Sequence, residues 1–231
     1  LSANFINFHY FFGTLLILNF YFFSFLVFYN LIFLTVDNIL QYLSKILGVP
    51  KENVLKCSQF YTFKKVKKGN FLLREGEICK DIFFVEKGIL RMYSVDINGK
   101  EHIVQFAPEN WLISDRSSVF FEENSHYYID ATEDAEVWVL KDEFFTEMQI
   151  KYPETNINNK RLLNKHIKNL QDRINSLLSD SAEERYMKFI KMYPDIMLRV
   201  PQWMVASYLG ITPESLSRVR KELAKKNFRT D

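Results

Sequence analysis

The sequence predicts an α+β protein in which an antiparallel β-roll of the jelly-roll type precedes a long helix and a C-terminal, all-α helix-turn-helix. Three observations predict this fold class. Between residues 59 and 140, short runs rich in β-branched and aromatic residues alternate with glycine and other turn residues. Residues 154–179 carry apolar side chains at heptad spacing. Residues 201–231 contain two helical runs joined by a turn.

The N-terminal segment, residues 1–36, contains no Asp, Glu, Lys or Arg and is crowded with Phe, Leu, Ile, Tyr and Asn. Two interpretations stay open. Residues 11–36 are long enough to span a bilayer as a membrane anchor, and the basic residues that follow favour a cytoplasmic C-terminal side. Alternatively, the segment is not part of the natural protein, because AT-rich DNA encodes these residues and the chain opens on Leu instead of Met. The natural start would then lie near Val36.

A β-roll domain is predicted over residues 37–150. Residues 37–58 are expected to form short helices, because apolar residues recur there at helical spacing. Seven strands follow, and Asn98-Gly99 between two of them predicts a hairpin with a type I′ turn. Asp142 is predicted to cap a short helix that ends near Ile150. The predicted strands are Gln59–Val66, Asn70–Leu73, Asp81–Val85, Ile89–Val95, Glu101–Phe106, Tyr127–Thr132 and Ala135–Leu140.

A long helix is predicted from Glu154 to Ser179, within a segment of residues 151–180. Its apolar residues follow one another at spacings of four, three, four and three, which is the heptad repeat of a two-stranded coiled coil. The flanking residues are charged or polar, so packing on a partner helix is favoured over packing within the chain. We therefore predict a homodimer. The seam residues are Leu163, Ile167, Leu170, Ile174 and Leu177.

The C-terminal segment, residues 181–231, has the layout of a helix-turn-helix that reads DNA. Gly210 permits a left-handed turn at the end of the first helix, and Thr212 is a good N-cap for the second. A recognition helix reads base edges with its first turns. Arg218 is the best candidate for a bidentate contact to guanine, and Glu214 for accepting from a cytosine amino group. The predicted phosphate contacts are Gln202, Ser215, Ser217, Lys221 and Lys225.

Composition limits the classes of function. The net charge of +2 does not by itself indicate DNA binding, but residues 218–229 hold six basic residues against one acidic residue, a local excess suited to phosphate. Two cysteines, Cys57 and Cys79, exclude a disulfide framework or a four-thiolate iron–sulfur site built from this chain alone, and both are expected to be buried. The chain has no Gly-x-Ser-x-Gly motif, phosphate loop or metal-ligand spacing. We therefore predict no enzyme, no cofactor and no metal site.

The glycine spacing Gly69-x6-Gly76-x11-Gly88-x10-Gly99 resembles that of the cyclic-nucleotide-binding fold. The full order of β-roll, long helix and helix-turn-helix is similar to the Crp/Fnr family of bacterial transcription regulators, from about residue 38 to residue 227. The resemblance implies a cyclic-nucleotide-binding-like jelly roll, and it implies base-reading roles for Glu214 and Arg218, which match the family's Glu-x-x-x-Arg pair. The segments that carry it are Arg74–Glu77, Phe83–Gly88, Ser181–Tyr186 and Ser207–Arg218.

The sequence departs from the family pattern in two places. In cyclic-nucleotide binders, a glycine lets the backbone approach the ligand phosphate and an arginine pairs with that phosphate. Here Ile113 replaces the glycine and Ser125 stands near the arginine position, so ordinary cyclic-AMP binding is not expected. The degenerate cassette is Ile113, Ser114, Asp115, Arg116, Ser125 and His126. A complete β-hairpin wing after the recognition helix is not expected either.

Two hypotheses about function follow from the sequence. The first is a cytoplasmic, dimeric regulator whose two recognition helices read a near-palindromic site in double-stranded DNA. The alternative is a small-molecule sensor, tethered to the inner membrane through residues 11–36, in which DNA binding is secondary or lost. No effector is assigned under either hypothesis.

Overall fold

As a computed structural model, the structure describes residues 36–227. The predicted membrane anchor at residues 11–36 lies outside these residues except for Val36. No helix within residues 36–227 is long and apolar enough to cross a bilayer.

Within residues 36–227, eight strands form two four-stranded antiparallel sheets, which confirms the predicted β-roll. The order is β1-β8-β3-β6 in the first sheet and β2-β7-β4-β5 in the second sheet. All seven predicted strands are present, and the two-residue strand β6 was not predicted. The strands are β1 Tyr61–Val66, β2 Phe71–Leu73, β3 Asp81–Lys87, β4 Leu90–Val95, β5 Glu101–Ala107, β6 Leu112–Ile113, β7 Tyr128–Ala131 and β8 Ala135–Lys141.

The core of the roll lies between the two sheets, and strand alternation explains its composition. Leu90 and Met92 of β4 point into this core together with Ile129 of β7, while the residues between them point to the outer face of the second sheet. Gly88, just before β4, has φ +94°, and a Cβ there would lie 2.8 Å from the Ala135 backbone. The close approach of the two chain segments therefore requires glycine.

Helices cover the outer face of the first sheet. Helix α1 over the described residues 36–47, α2 Lys51–Leu55 and α4 Asp142–Lys151 bury apolar side chains against Phe84 and Leu140. Asn38 Nδ2 also donates to Glu86 Oε1 at 3.0 Å, which fixes α1 to β3. The predicted cap of α4 was wrong by one position, because Lys141 is the N-cap and Asp142 lies in the first turn. Both cysteines are buried, as predicted.

The hairpin between β4 and β5 forms as predicted, but its predicted turn type was wrong. A type I′ turn needs positive φ at both central residues, and Asn98 does not have it, whereas Gly99 has φ +77°. Asp96 explains the difference, because its carboxylate Oδ1 accepts from the backbone N–H groups of Asn98 and Lys100 at 2.9 and 3.1 Å. An aspartate that binds the backbone two residues on shapes the turn itself.

Residues 155–227 are mainly helical. Helix α5 is the predicted long helix, and the helix-turn-helix is α8 and α9. Helices α6 and α7 were not predicted; α6 begins with a capping box in which Ser181 and Glu184 exchange hydrogen bonds. The helices are α5 Thr155–Ser179, α6 Ala182–Met192, α7 Ile196–Arg199, α8 Gln202–Leu209 and α9 Pro213–Asn227. Earlier in the chain, the short helix α3 Arg116–Phe121 was also not predicted.

Candidate nucleic-acid interface and ligand cassette

The turn between α8 and α9 has the geometry that its residues predict. Gly210 ends α8 in the left-handed conformation, with φ +66°. The backbone N–H of Ile211 returns to Ala206 O at 3.0 Å, which closes the helix end. Thr212 Oγ1 accepts from the Ser215 N–H at 3.2 Å, which confirms Thr212 as the N-cap of α9.

Helix α9 separates a buried side from an exposed side. Leu216 and Val219 are buried and Leu223 is half-buried, as predicted for the side that packs on α8. Successive helical residues are rotated by about 100°, so the residues that lie opposite this apolar side can be read from the spacing. All of them are exposed. They are Glu214, Ser217, Arg218, Lys221 and Lys225.

The two remaining predicted DNA contacts lie outside this row of exposed α9 residues. Ser215 is half-buried on the flank of α9, and Gln202 is exposed at the start of α8. The Glu214 carboxylate accepts from its own backbone N–H and from Thr212, which lowers the pKa of Glu214 below its usual value. Glu214 is therefore a charged acceptor at neutral pH. Lys226 binds Glu183 at 2.7 Å and thereby ties α9 to α6.

The helix-turn-helix is docked on the outer face of the second sheet. Ser207 of α8 binds the open edge of strand β5. Its Oγ accepts from Ile103 N–H and donates to Glu101 O, each at 3.0 Å. An apolar cluster spans the junction. Its roll members are Ile89, Tyr93, Ile103 and Phe106, and its helical members include Phe189, Tyr193, Ile196, Val205 and Leu209.

Two of the six cassette residues, Asp115 and Ser125, come together, and their polar groups bind each other. Asp115 Oδ1 caps α3 by accepting from the N–H groups of Ser117 and Ser118, at 3.1 and 3.3 Å. Its other oxygen accepts from Ser125 Oγ at 2.8 Å. Asp115 and Ser125 are both buried, with 6% and 2% of their surface exposed. A carboxylate of the chain thus occupies the helix N-terminus at which an anionic ligand would bind.

The other cassette residues are dispersed around this pair. Ile113 is buried in β6, Ser114 is half-buried, and Arg116 and His126 are exposed. Arg116 Nη1 lies 4.0 Å from Asp142 Oδ1. Burial, and then the charge of Arg116, lower the pKa of His166 on α5.

The seam of α5 is exposed on the isolated protomer. Each of its five residues leaves more than two fifths of its surface open, from 41% for Leu177 to 58% for Ile174. Five large apolar residues in one row along a helix form a partly exposed stripe of the kind that a second helix covers.

Comparison with known proteins agrees with this architecture. Residues 63–152 match the cyclic nucleotide-binding domain family. An anaerobic regulatory protein of Pasteurella multocida is 24% identical over 173 residues, which are 70% of this chain and 63% of that protein. FixK2 of Bradyrhizobium japonicum has a similar structure, with a TM-score of 0.63 and 18% identity over 72% of this chain and 86% of that chain. A protein of Eubacterium rectale assigned to the Crp/Fnr family superimposes with a TM-score of 0.56 and 18% identity, over 76% of this chain and 82% of that chain.

Residues 63–152 of the chain thus form a cyclic nucleotide-binding domain, and the fold resembles those of the two solved structures. The matched stretch spans less than two thirds of the length of the Pasteurella relative. The residues that match the cyclic nucleotide-binding domain family, 63–152, run from within β1 to the end of α4. They include all six cassette residues.

Several residues that position the helix-turn-helix were missed in the sequence. Arg199 of α7 binds Glu109 and Glu133 of the roll, and Ser207 binds β5. These partners lie 66 to 106 residues apart, so no local pattern could have found them. Among residues 36–227, no group of three His, Cys, Asp or Glu side chains is placed to hold a metal ion.

Proposed function

We propose that this protein is a dimeric, sequence-specific DNA-binding regulator of transcription of the Crp/Fnr type. The observation that carries the proposal is the exposed surface of α9, where an acidic acceptor and three basic side chains share one side of a well-capped helix. The apolar side of α9 packs within the chain, so the opposite, exposed side is available to a partner. Double-stranded DNA is the partner that suits such a helix, since the major groove admits one helix and its phosphates attract the basic residues.

The base-reading roles go to the first turns of α9. Arg218 donates from its planar guanidinium to O6 and N7 of a guanine, and Glu214 accepts from the N4 amino group of a cytosine. Each contact of this kind discriminates against a wrong base by about 1–3 kcal/mol. The phosphate contacts are Gln202, Ser215, Ser217, Lys221 and Lys225, and they set the register of the helix in the groove.

In a dimer, the two copies of α9 read the two half-sites of one DNA site. The seam on α5 pairs with the same seam of a second copy, and this pairing places two recognition helices about 34 Å apart, one helical turn of DNA. A near-palindromic site is expected for that reason. In this proposal, residues 37–150 form the roll, 151–180 the dimer helix and 181–231 the DNA-binding part of a cytoplasmic regulator.

Ordinary cyclic AMP does not control this regulator in our proposal. The Asp115 carboxylate already accepts the N–H groups at the start of α3, and a phosphate beside it would meet a buried negative charge. Ile113 replaces the glycine that would let a phosphate approach. No side chain of the cassette supplies a buried cation, since Arg116 is exposed and directed towards Asp142.

Substitutions on α9 test the assigned roles. Arg218→Ala should lose discrimination at one base pair of each half-site, while Lys221→Ala should weaken binding to all sequences alike and reduce the dependence of log Kd on log salt by about one. Fluorescence anisotropy with a bound duplex and its single-base variants measures both effects. Equal losses of discrimination in the two variants would contradict the assignment.

A further inference from the structure

To bind both half-sites of a palindrome at once, a dimer needs more than two recognition helices. Each recognition helix must hold a fixed position relative to the seam, because the half-sites lie at a fixed distance along the DNA. The direct connection from α5 to α6 is the joint at residues 180–181. A contact between α5 and the helix-turn-helix would add a second constraint on the position of α9.

One side chain of α5 reaches the helix-turn-helix and the roll at once. Arg173 Nη2 donates to Tyr208 O at 3.0 Å and to Ile103 O at 3.2 Å. The guanidinium carbon Cζ also lies over the Tyr208 ring, 3.7 Å from its centroid. Arg173 therefore joins three elements, which are the dimer helix, the last turn of α8 and the edge strand β5.

The chemistry of the two acceptors explains why arginine suits this position. Tyr208 O belongs to the last turn of α8, where carbonyl groups have no partner within the helix and the helix dipole favours a cation. Ile103 O lies on the open edge of the second sheet, where the strand has no neighbouring strand. A planar guanidinium can donate to both carbonyls and stack on the ring, whereas an ammonium cannot stack in this way.

The position of Arg173 on α5 links it to the seam. It directly precedes the seam residue Ile174, and the seam residue Leu177 lies one turn further on. Leu177 in turn packs on the helix-turn-helix, because a Cβ on Gly210 would lie 3.2 Å from Leu177 Cδ2. A partner helix that covers the seam thus fixes the part of α5 that contacts the end of α8 at Tyr208 and Gly210.

We infer that Arg173 is a positioning residue that fixes the α8–α9 turn against the dimer helix and the β5 edge, and so sets the half-site spacing that the dimer reads. The inference rests on the proposed function, since spacing has meaning only for a dimer on DNA. Arg173 itself lies outside the exposed surface of α9 and needs no contact with a base.

A panel of duplexes tests this inference. The two half-sites of a selected sequence are kept, and their spacing is shortened or lengthened by one or two base pairs. The wild-type chain should prefer one spacing by at least about tenfold. Arg173→Met, which keeps an unbranched apolar stem, should bind several spacings with similar affinity while it still distinguishes the half-site sequence. Lys165→Met, at an exposed position of the same helix, should keep the wild-type preference.

The outcomes separate the inference from the proposed function. If the wild-type chain binds no duplex selectively, the proposed function fails. If it does and Arg173→Met keeps the same spacing preference, only the role of Arg173 is overturned. Sedimentation checks that the variant remains dimeric. Should Arg173→Met not fold, Arg173→Lys decides on the same panel, because it keeps the charge but loses the fork and the stacking, and we expect a broadened preference there too.

Discussion

Arg199 Nη2 lies 2.6 Å from Glu109 Oε1, and this ion pair joins α7 to the loop that follows β5. A second carboxylate, that of Glu133 in the β7–β8 loop, binds the same guanidinium. Glu109 Oε1 also accepts from the Gly88 N–H at 2.9 Å. The helix-turn-helix is therefore attached to the roll by charge at one end of the junction, and by Ser207 and Arg173 at the β5 edge.

The Glu109 carboxylate should make stability depend on pH in the acid range. Hydrogen bonds from Arg199 are the largest cause that lowers the pKa of Glu109, from 4.5 to about 2. A lowered folded-state pKa gives stability that is present above about pH 4.5 and is lost as the pH falls towards 2. Glu109→Gln should cost about 1.5 kcal/mol at neutral pH, and its difference from wild type should shrink over that acid window. Urea unfolding at several pH values measures this.

The matched control for Glu109 is Glu123→Gln, at an exposed position outside the junction. This variant should follow the wild-type stability at each pH. If the free energy of unfolding of Glu109→Gln stays below that of wild type by the same amount down to pH 2, the ion pair is not the source of the difference.

Two glycines with similar backbone angles should respond differently to alanine. Gly88 has φ +94° and Gly69 has φ +78°, but a Cβ on Gly88 would meet the Ala135 and Asp134 backbone within 2.9 Å, while a Cβ on Gly69 meets nothing within 4 Å. Gly69→Ala should cost only the left-handed backbone penalty, about 1 kcal/mol. Gly88→Ala adds a clash with backbone, so it should cost about 2 kcal/mol more. Equal melting temperatures for the two variants would contradict the packing described at the β3–β4 turn.

Cyclic AMP should not stabilise the folded chain. A ligand at one hundred times its Kd would stabilise the native state by about 2.7 kcal/mol, which thermal unfolding detects readily. Because Asp115 and Ser125 bind each other in the cassette, we expect no change in Tm with millimolar cyclic AMP. Adenosine 5′-monophosphate serves as the control for non-specific effects. A saturable rise in Tm with cyclic AMP, but not with the control nucleotide, would show that cyclic AMP binds in spite of the Asp115–Ser125 hydrogen bond.

The exposed seam should control the oligomeric state without controlling the fold. Ile174 is 58% exposed on the protomer, so Ile174→Glu should leave the protomer folded while it places a charge inside the seam. Sedimentation equilibrium should show the dimer dissociation constant raised by more than about tenfold. Asn175→Glu, at the next, exposed position of α5, should remain dimeric. Equal dissociation constants for the two variants would place the dimer contact elsewhere.

Local patterns were sufficient for most of the fold. Runs rich in β-branched and aromatic residues between turn residues predict β3, β4 and β8. Gly210 with Thr212 predicts the turn because few other residues suit those backbone positions. The type I′ turn failed for a reason that is also local, since Asp96 binds the backbone of Asn98 and Lys100. Strand β6 is two residues long, which is too short to show a period.

The missed part of the site consists of contacts between distant segments. The sequence places Arg173 on the polar flank of the seam. Helical spacing shows which residues share a face of α5, but it does not show which other segment of the chain packs against that face. Its acceptor in β5 lies 70 residues away, and Arg199 and Glu109 are 90 residues apart. Only the docking of the helix-turn-helix on the second sheet brings these groups together.

Selection from random duplexes tests the central claim most directly. The full chain is incubated with a pool of randomised double-stranded DNA at near-physiological salt, and the bound fraction is amplified and sequenced over several rounds. We predict enrichment of a near-palindrome whose two half-sites have centres about one helical turn apart, with a G·C pair in each half-site that Arg218→Ala no longer selects. A pool that remains unenriched, or an enriched sequence without two-fold symmetry, would contradict a dimeric reader built on α5 and α9.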